Sequence, residues 1–148
     1  MNFSKKDLEE IGPVCLNYNL RKTTRLVTSY YDLVLKPSGL RITQFTVLFS
    51  IAYKVECSIT DLSKITDIDR TTLQRSLEIL RRDGLIRIEK AESGNIRSVS
   101  LMKKGEKKLE EAIELWKQAQ GYMEKGLGKE KLTSGLRLLS EMRKVVPE

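Results

Sequence analysis

The sequence predicts a mainly α fold that carries one small β-hairpin. Three observations predict it. Apolar residues recur at helical spacing through most of the chain, the rhythm changes to one-by-one alternation from Leu85 onward, and the helical stride returns beyond Lys104. The change falls inside one run, DRTTLQRSLEILRRDGLIRIEK from Asp69 to Lys90, where a leucine-backed helix passes straight into a strand.

At 148 residues the chain is expected to form a single domain, 1–148. An apolar fraction of 40% with 32% charged residues suits a soluble fold rather than a disordered chain. No apolar run approaches the roughly 20 residues that span a bilayer, and MNFSKKDLEE lacks the apolar core of a secretory signal. A cytoplasmic location and no membrane partner are therefore expected.

Histidine is absent, which removes the residue most used for proton transfer and neutral metal ligation near neutral pH. No nucleophile–base pair, metal cluster or phosphate-cradling glycine loop is legible either. The expectation is a protein that is not an enzyme and has no cofactor. Cys15 and Cys57 have neither metal-ligand nor redox-motif spacing, so reduced thiols are expected. A formal charge of +7 would attract a polyanion, since lysine and arginine displace counterions from phosphate, but charge alone does not identify one.

The elements follow in order. Leu16, Leu20, Val27, Tyr31 and Val34 keep a helical stride from Val14 to Leu35, ended by Pro37-Ser38-Gly39. Thr43 then precedes a second helix, QFTVLFSIAYK, with Phe45, Leu48, Phe49 and Ala52 on one side. Ser58 and Asp61 have capping-box spacing and open a short third helix carrying Ile59, Leu62 and Ile65.

Asp67-Ile68-Asp69 offers a turn and a fresh N-cap, Asp69, for a fourth helix. On it Leu73, Leu77 and Leu80 fall in one sector, and Thr71, Gln74, Arg75, Glu78 and Arg82 fall opposite. Gly84 stops that helix. LIRIEK then starts a strand with Ile86 and Ile88 on one face, Ser93-Gly94-Asn95 turns, and IRSVSL returns with Arg97, Val99 and Leu101 sharing a face.

Beyond Lys104 a helix bearing Leu109, Ala112, Ile113, Trp116 and Met123 runs to about Glu124. Gly126 and Gly128 break it before a last helix with Leu132, Leu136, Leu139, Met142 and Val145. So small a chain cannot cover all these apolar faces itself, and pairing with a second copy is the expected remedy.

Helix, helix, turn, helix and hairpin is the layout of a winged helix-turn-helix. The reading head would occupy about 40–102, flanked by dimerisation helices at about 8–36 and 104–146. The major groove of double-stranded DNA admits one helix, so Asp69 to Leu80 becomes the candidate reading helix. An arginine fork matches guanine and a glutamine amide matches adenine, which singles out Arg75 and Gln74. Arg70, Thr71 and Thr72, near the positive helix end, and Thr60 on the preceding helix suit phosphate or the first base step. Lys90, Ser93, Asn95 and Arg97 on the hairpin could grip the backbone or the adjacent minor groove.

The run ITDIDRTTLQRSLEILRRDGLIRI resembles the recognition helix and the start of the wing in MarR-family transcription factors. The similarity extends through LRKTTRLVTSYYD and GLRITQFTVL upstream and LMKKGEKKL downstream, from about Leu20 to Leu109. It implies a homodimer whose two chain ends form the base and whose paired winged modules read a palindromic operator. It also implies a repressor that releases DNA when a phenolic or other small effector enters the crevice between base and head. Tyr18, Tyr30 and Tyr31 are candidates to shape that pocket.

Cys15 is a candidate redox sensor, because one branch of the family senses hydroperoxides through a first-helix cysteine, although that position aligns with Asn17. The chain departs from the family elsewhere. Ser93 and Asn95 stand where the wing tip commonly carries Asp and Arg, and the LT-x-x-G pattern is here Leu101-Met102-Lys103-Lys104-Gly105. The altered wing tip leaves an alternative, a winged protein-interaction module that no longer reads DNA.

Overall fold

The computed structural model describes residues 3–54, 57–90 and 97–147. The helix-to-strand switch occurs at Gly84, where the backbone takes φ of 71°. The Leu85 amide donates to the Leu80 carbonyl and the Gly84 amide to Arg81, a Schellman closure that a glycine in the left-handed region permits. Leu80 and Leu85 are both buried in the core, so the stop of the helix is also an apolar contact.

The chain runs α1 (Lys5–Val14), α2 (Leu16–Leu35), a 3-10 turn (Lys36–Ser38), α3 (Ile42–Lys54), β1 (Cys57–Ser58), α4 (Ile59–Thr66), α5 (Arg70–Arg82), β2 (Ile86–Lys90), β3 (Arg97–Leu101), α6 (Lys103–Leu127) and α7 (Lys129–Val145). Helix α3 lies at the centre, packed against α4, α5, α6 and β3. Its Phe45, Val47, Leu48 and Ile51 meet Leu62 of α4, Leu73, Leu77 and Leu80 of α5, Val99 of β3 and Leu109 of α6 in one core. Burying such side chains is worth about 1.5–3 kcal/mol each, so this cluster holds the head together.

Three features differ from expectation. The expected first helix, α2, is preceded by a separate helix, α1, and the two meet at Cys15, whose backbone is extended (φ −71°, ψ 106°) just after Pro13. Proline removes an amide from the last turn of α1, and the Asn19 side chain spans the joint by donating to the Gly12 and Cys15 carbonyls, both at 2.9 Å.

The hairpin belongs to a three-stranded sheet of order β1-β3-β2, because Cys57 and Ser58 pair with Val99 and Ser98. A two-residue strand is too short to show an alternation. The β2–β3 register sets Ile86 against Leu101 and Ile88 against Val99, which are the expected inner faces.

Helix α3 is also rotated from the predicted phase. Phe49 and Ala52 are exposed, while Val47 and Ile51 are buried. The helix is apolar on nearly every side, so periodicity could not choose its inner face. It begins at Ile42 rather than after Thr43, capped from a distance by Asp32 of α2, whose Oδ1 accepts from the Ile42 amide at 2.7 Å.

The terminal helices cover the head from one side. Helix α2 packs along α6, α1 on α2 and α7 on α6. Neither α1 nor α7 buries a single residue, and Leu8, Ile11, Val14, Leu136, Leu138 and Val145 are exposed. Among the described residues no helix is long and apolar enough to cross a membrane.

Candidate nucleic-acid interface

Two carboxylates build the α4–α5 unit. Ser58 and Asp61 form the capping box of α4: the Asp61 amide donates to Ser58 Oγ at 3.0 Å, and Ser58 Oγ donates to Asp61 Oδ2 at 2.6 Å. Helix α4 ends at Asp67 in the left-handed region (φ 51°), which redirects the chain within three residues. Asp69 then caps α5 by accepting the Thr72 amide at 2.9 Å. Hydrogen bonds from Ser58 to Asp61, and from the Thr72 side chain and amide to Asp69, hold both carboxyls below the usual carboxylate range. Thr72 thus has a structural task at the helix start as well as an exposed side chain.

Helix α5 is divided as its sequence requires. Leu73, Ser76, Leu77 and Leu80 are buried, and Arg70, Thr71, Gln74, Arg75, Glu78 and Arg82 are exposed. At 3.6 residues per turn, Thr71, Arg75 and Arg82 lie opposite the leucines, flanked by Gln74 and Glu78. The leucine back fixes this orientation, because turning the arginines inward would bury unpaired charge.

Four predicted residues converge on one groove between α4, α5 and β3. It has a volume of about 880 Å³, and its lining includes Thr60, Ser63, Arg70, Gln74 and Arg97. Two guanidinium groups, three hydroxyls (Ser58, Thr60 and Ser63) and an amide line it with one carboxylate, Asp61, which is engaged by Ser58 in the capping box, so donors outnumber the single anionic group there. Thr71, Thr72 and Arg75 lie outside this groove. Ser63 escaped the sequence reading; its spacing from Thr60, one turn on, was the available signal.

A second groove of about 350 Å³ lies between α5 and the sheet, lined by Glu78, Arg81, Ile88, Glu89 and Arg97. Arg97 borders both grooves. Lys90 ends β2 opposite Arg97, while Ser93 and Asn95 lie outside the described residues. Glu78, also absent from the predicted site, accepts from Arg81 Nη2 at 2.8 Å, and this bond holds its carboxyl below the usual range. At the far end of α5, Lys104 Nζ donates to the Asp83 carbonyl at 2.8 Å and ties the start of α6 to the end of that helix.

The tyrosines separate. Tyr18 is exposed near the start of α2, twelve positions before Tyr30. Tyr30 and Tyr31 are half-buried: Tyr30 packs at 5.1 Å between ring centres on Tyr122, and Tyr31 bonds Gln120, both on α6. The pair therefore sits at the α2–α6 seam, apart from Tyr18. Cys15 is half-buried at the joint between α1 and α2, and Cys57 is buried in β1.

The fold has known counterparts. A model of the MarR family matches residues 38–94, the span from the 3-10 turn into the wing. The transcriptional regulator MosR of M. tuberculosis, solved in complex with DNA, is 30% identical; the match covers 88% of this chain and 96% of that one, with a TM-score of 0.76. BpsR of Bordetella bronchiseptica, whose DNA binding is regulated by 6-hydroxynicotinic acid, is 23% identical, with 89% and 96% covered and a TM-score of 0.80. A mutant of MarR from E. coli bound to operator DNA is 21% identical, with 93% and 98% covered and a TM-score of 0.80. The last two likenesses concern the fold alone. A search of curated proteins gave no match.

Proposed function

The chain belongs to the MarR family, and we propose that it is a sequence-specific, homodimeric DNA-binding repressor that reads a palindromic operator. One observation carries the reading: α5 turns Thr71, Gln74 and Arg75 outward from a leucine-packed back, beside a groove that gathers Thr60, Arg70 and Arg97. In this arrangement Arg75 and Gln74 address base edges. Thr60, Arg70, Thr71 and Thr72 address phosphates and the first base step, and the wing, through Lys90, Ser93, Asn95 and Arg97, grips the adjacent backbone. The DNA complex of MosR supports it.

Dimerisation follows from the apolar side chains that α1, α2 and α7 leave exposed. A two-fold pair would set the reading helices about one helical turn, roughly 34 Å, apart. An effector-responsive site for a small phenolic or other ligand is proposed at the α2–α6 seam around Tyr30 and Tyr31, which pack on Tyr122 and bond Gln120; Tyr18, exposed near the start of α2, lies apart from it. Cys15, at the α1–α2 joint, is the proposed position for an oxidant response.

Titrating the protein against labelled duplex from beside its own gene and against unrelated duplex, at several salt concentrations, tests the reading. Tighter binding to the first by at least a thousandfold-order ratio, about 10³, is expected at physiological salt. Equal affinities would refute sequence reading, and failure to bind any duplex, with a protein partner captured instead, would favour the interaction-module alternative.

A further inference from the structure

Helix α5 carries one acid among its outward-facing bases. Its exposed side holds Arg70, Arg75, Arg81 and Arg82, and only Glu78 is negative. A carboxylate facing a polyanion is electrostatically unfavourable, so its place on this face calls for a compensating interaction. The Glu78 side chain is 66% exposed, accepts from Arg81 Nη2 at 2.8 Å, one turn on, and borders the groove between α5 and the sheet, so its carboxylate is both accessible to a partner and oriented.

We propose that Glu78 is a specificity-determining residue that selects a C·G pair by accepting a hydrogen bond from the N4 amino group of cytosine. This deepens the DNA-reading function above and rests on it. Glu78 follows Gln74 by four residues and Arg75 by three, so it continues their row about 6 Å further along the helix axis. The row therefore reaches roughly two base steps beyond Gln74, given 3.4 Å per step.

The chemistry narrows the choice of base. An ionised carboxylate only accepts, and in the major groove only cytosine N4 and adenine N6 donate. Adenine places its N7 acceptor beside that donor, which repels a second carboxylate oxygen, whereas cytosine offers no such acceptor. Arg81 contributes in two ways: its hydrogen bond orients the carboxylate, and its charge offsets the repulsion from phosphate. It also holds the Glu78 carboxyl below its ordinary range, so the acceptor is ionised at neutral pH. Arg81 is a positioning residue in this scheme.

The test is selection of bound duplexes from random DNA with the full chain and with Glu78→Gln, each checked for native circular dichroism. Wild-type sites should share one C·G pair per half-site, preferred on the order of tenfold over other pairs. In Glu78→Gln that preference should fall below about twofold, with the positions assigned to Gln74 and Arg75 unchanged. Arg81→Gln should weaken the same preference without moving it to another position.

Superimposable base preferences for wild type and Glu78→Gln, with only a uniform gain in affinity from the lost negative charge, would overturn the assignment and leave DNA reading intact. If wild type itself enriches no sequence, DNA reading and the Glu78 assignment fall together.

Discussion

The Tyr31 hydroxyl donates a 2.6 Å hydrogen bond to Gln120 Oε1, joining α2 to α6 across 89 positions of sequence. Burial, and then the neighbouring Tyr30 phenol, push the Tyr31 phenol above its ordinary value, so the donor keeps its proton throughout the neutral range. Tyr31→Phe should lower stability by about 0.5–1.5 kcal/mol, measured as a shift of the urea midpoint at constant slope. A phenol raised in the folded state contributes stability below its unfolded value near 10 and loses it as pH rises through the folded value. The deficit of the variant should therefore shrink in alkaline solution.

Acid should loosen the reading head. Asp61 and Asp69 are held below their ordinary range, chiefly by side-chain hydrogen bonds with Ser58 and Thr72. A depressed folded value means that stability is present above the unfolded value, about 4, and is lost as pH falls through the folded one. Thermal midpoints should decline on acidification below about pH 4. Asp69→Ala should lower the midpoint by a few degrees at neutral pH and flatten part of that decline, whereas Asp69→Asn keeps a cap and should lower it less.

Two glycines of α6 should respond in opposite directions to the same change. A Cβ at Gly105 would collide with the Leu85 carbonyl, the group that also accepts the Met102 amide at 3.0 Å. Gly105→Ala should cost about 1–3 kcal/mol from overpacking, exceeding the helix-propensity gain of roughly 1 kcal/mol. At Gly121 a Cβ meets nothing within 4 Å, so Gly121→Ala should stabilise by up to about 1 kcal/mol. Chemical denaturation of both variants checks the contrast; a stable Gly105→Ala would contradict the packing at the end of the wing.

The helix-turn-helix was legible because its signals are local. The Asp69 cap, the Leu73-Leu77-Leu80 stripe and the Gly84 stop each lie within a turn of the feature they specify. The phase of α3 was not legible, since its apolar residues surround the helix and only tertiary packing chooses between Ile51 and Ala52. The cap from Asp32 to Ile42 escaped because it crosses between helices.

Helix α1 was missed as a separate element although Ser4 and Asp7 form the same box as Ser58 and Asp61, with the Ser4 amide donating to Asp7 Oδ2 at 2.7 Å. The apolar stride marked a helix only from Val14, beyond Pro13. The site was legible in part: outward exposure of Gln74 and Arg75 followed from periodicity, but the groove joining Thr60 and Arg70 to Arg97 depends on a fold-level approach of three elements.

Arg75→Ala, titrated by fluorescence anisotropy against a selected duplex and an unrelated one, is the sharpest trial of DNA reading by α5. The expected result is a loss of about ten- to a hundredfold on the selected duplex with little change on the other. Equal losses on both duplexes would mean that Arg75 supplies charge alone and that α5 does not read the bases.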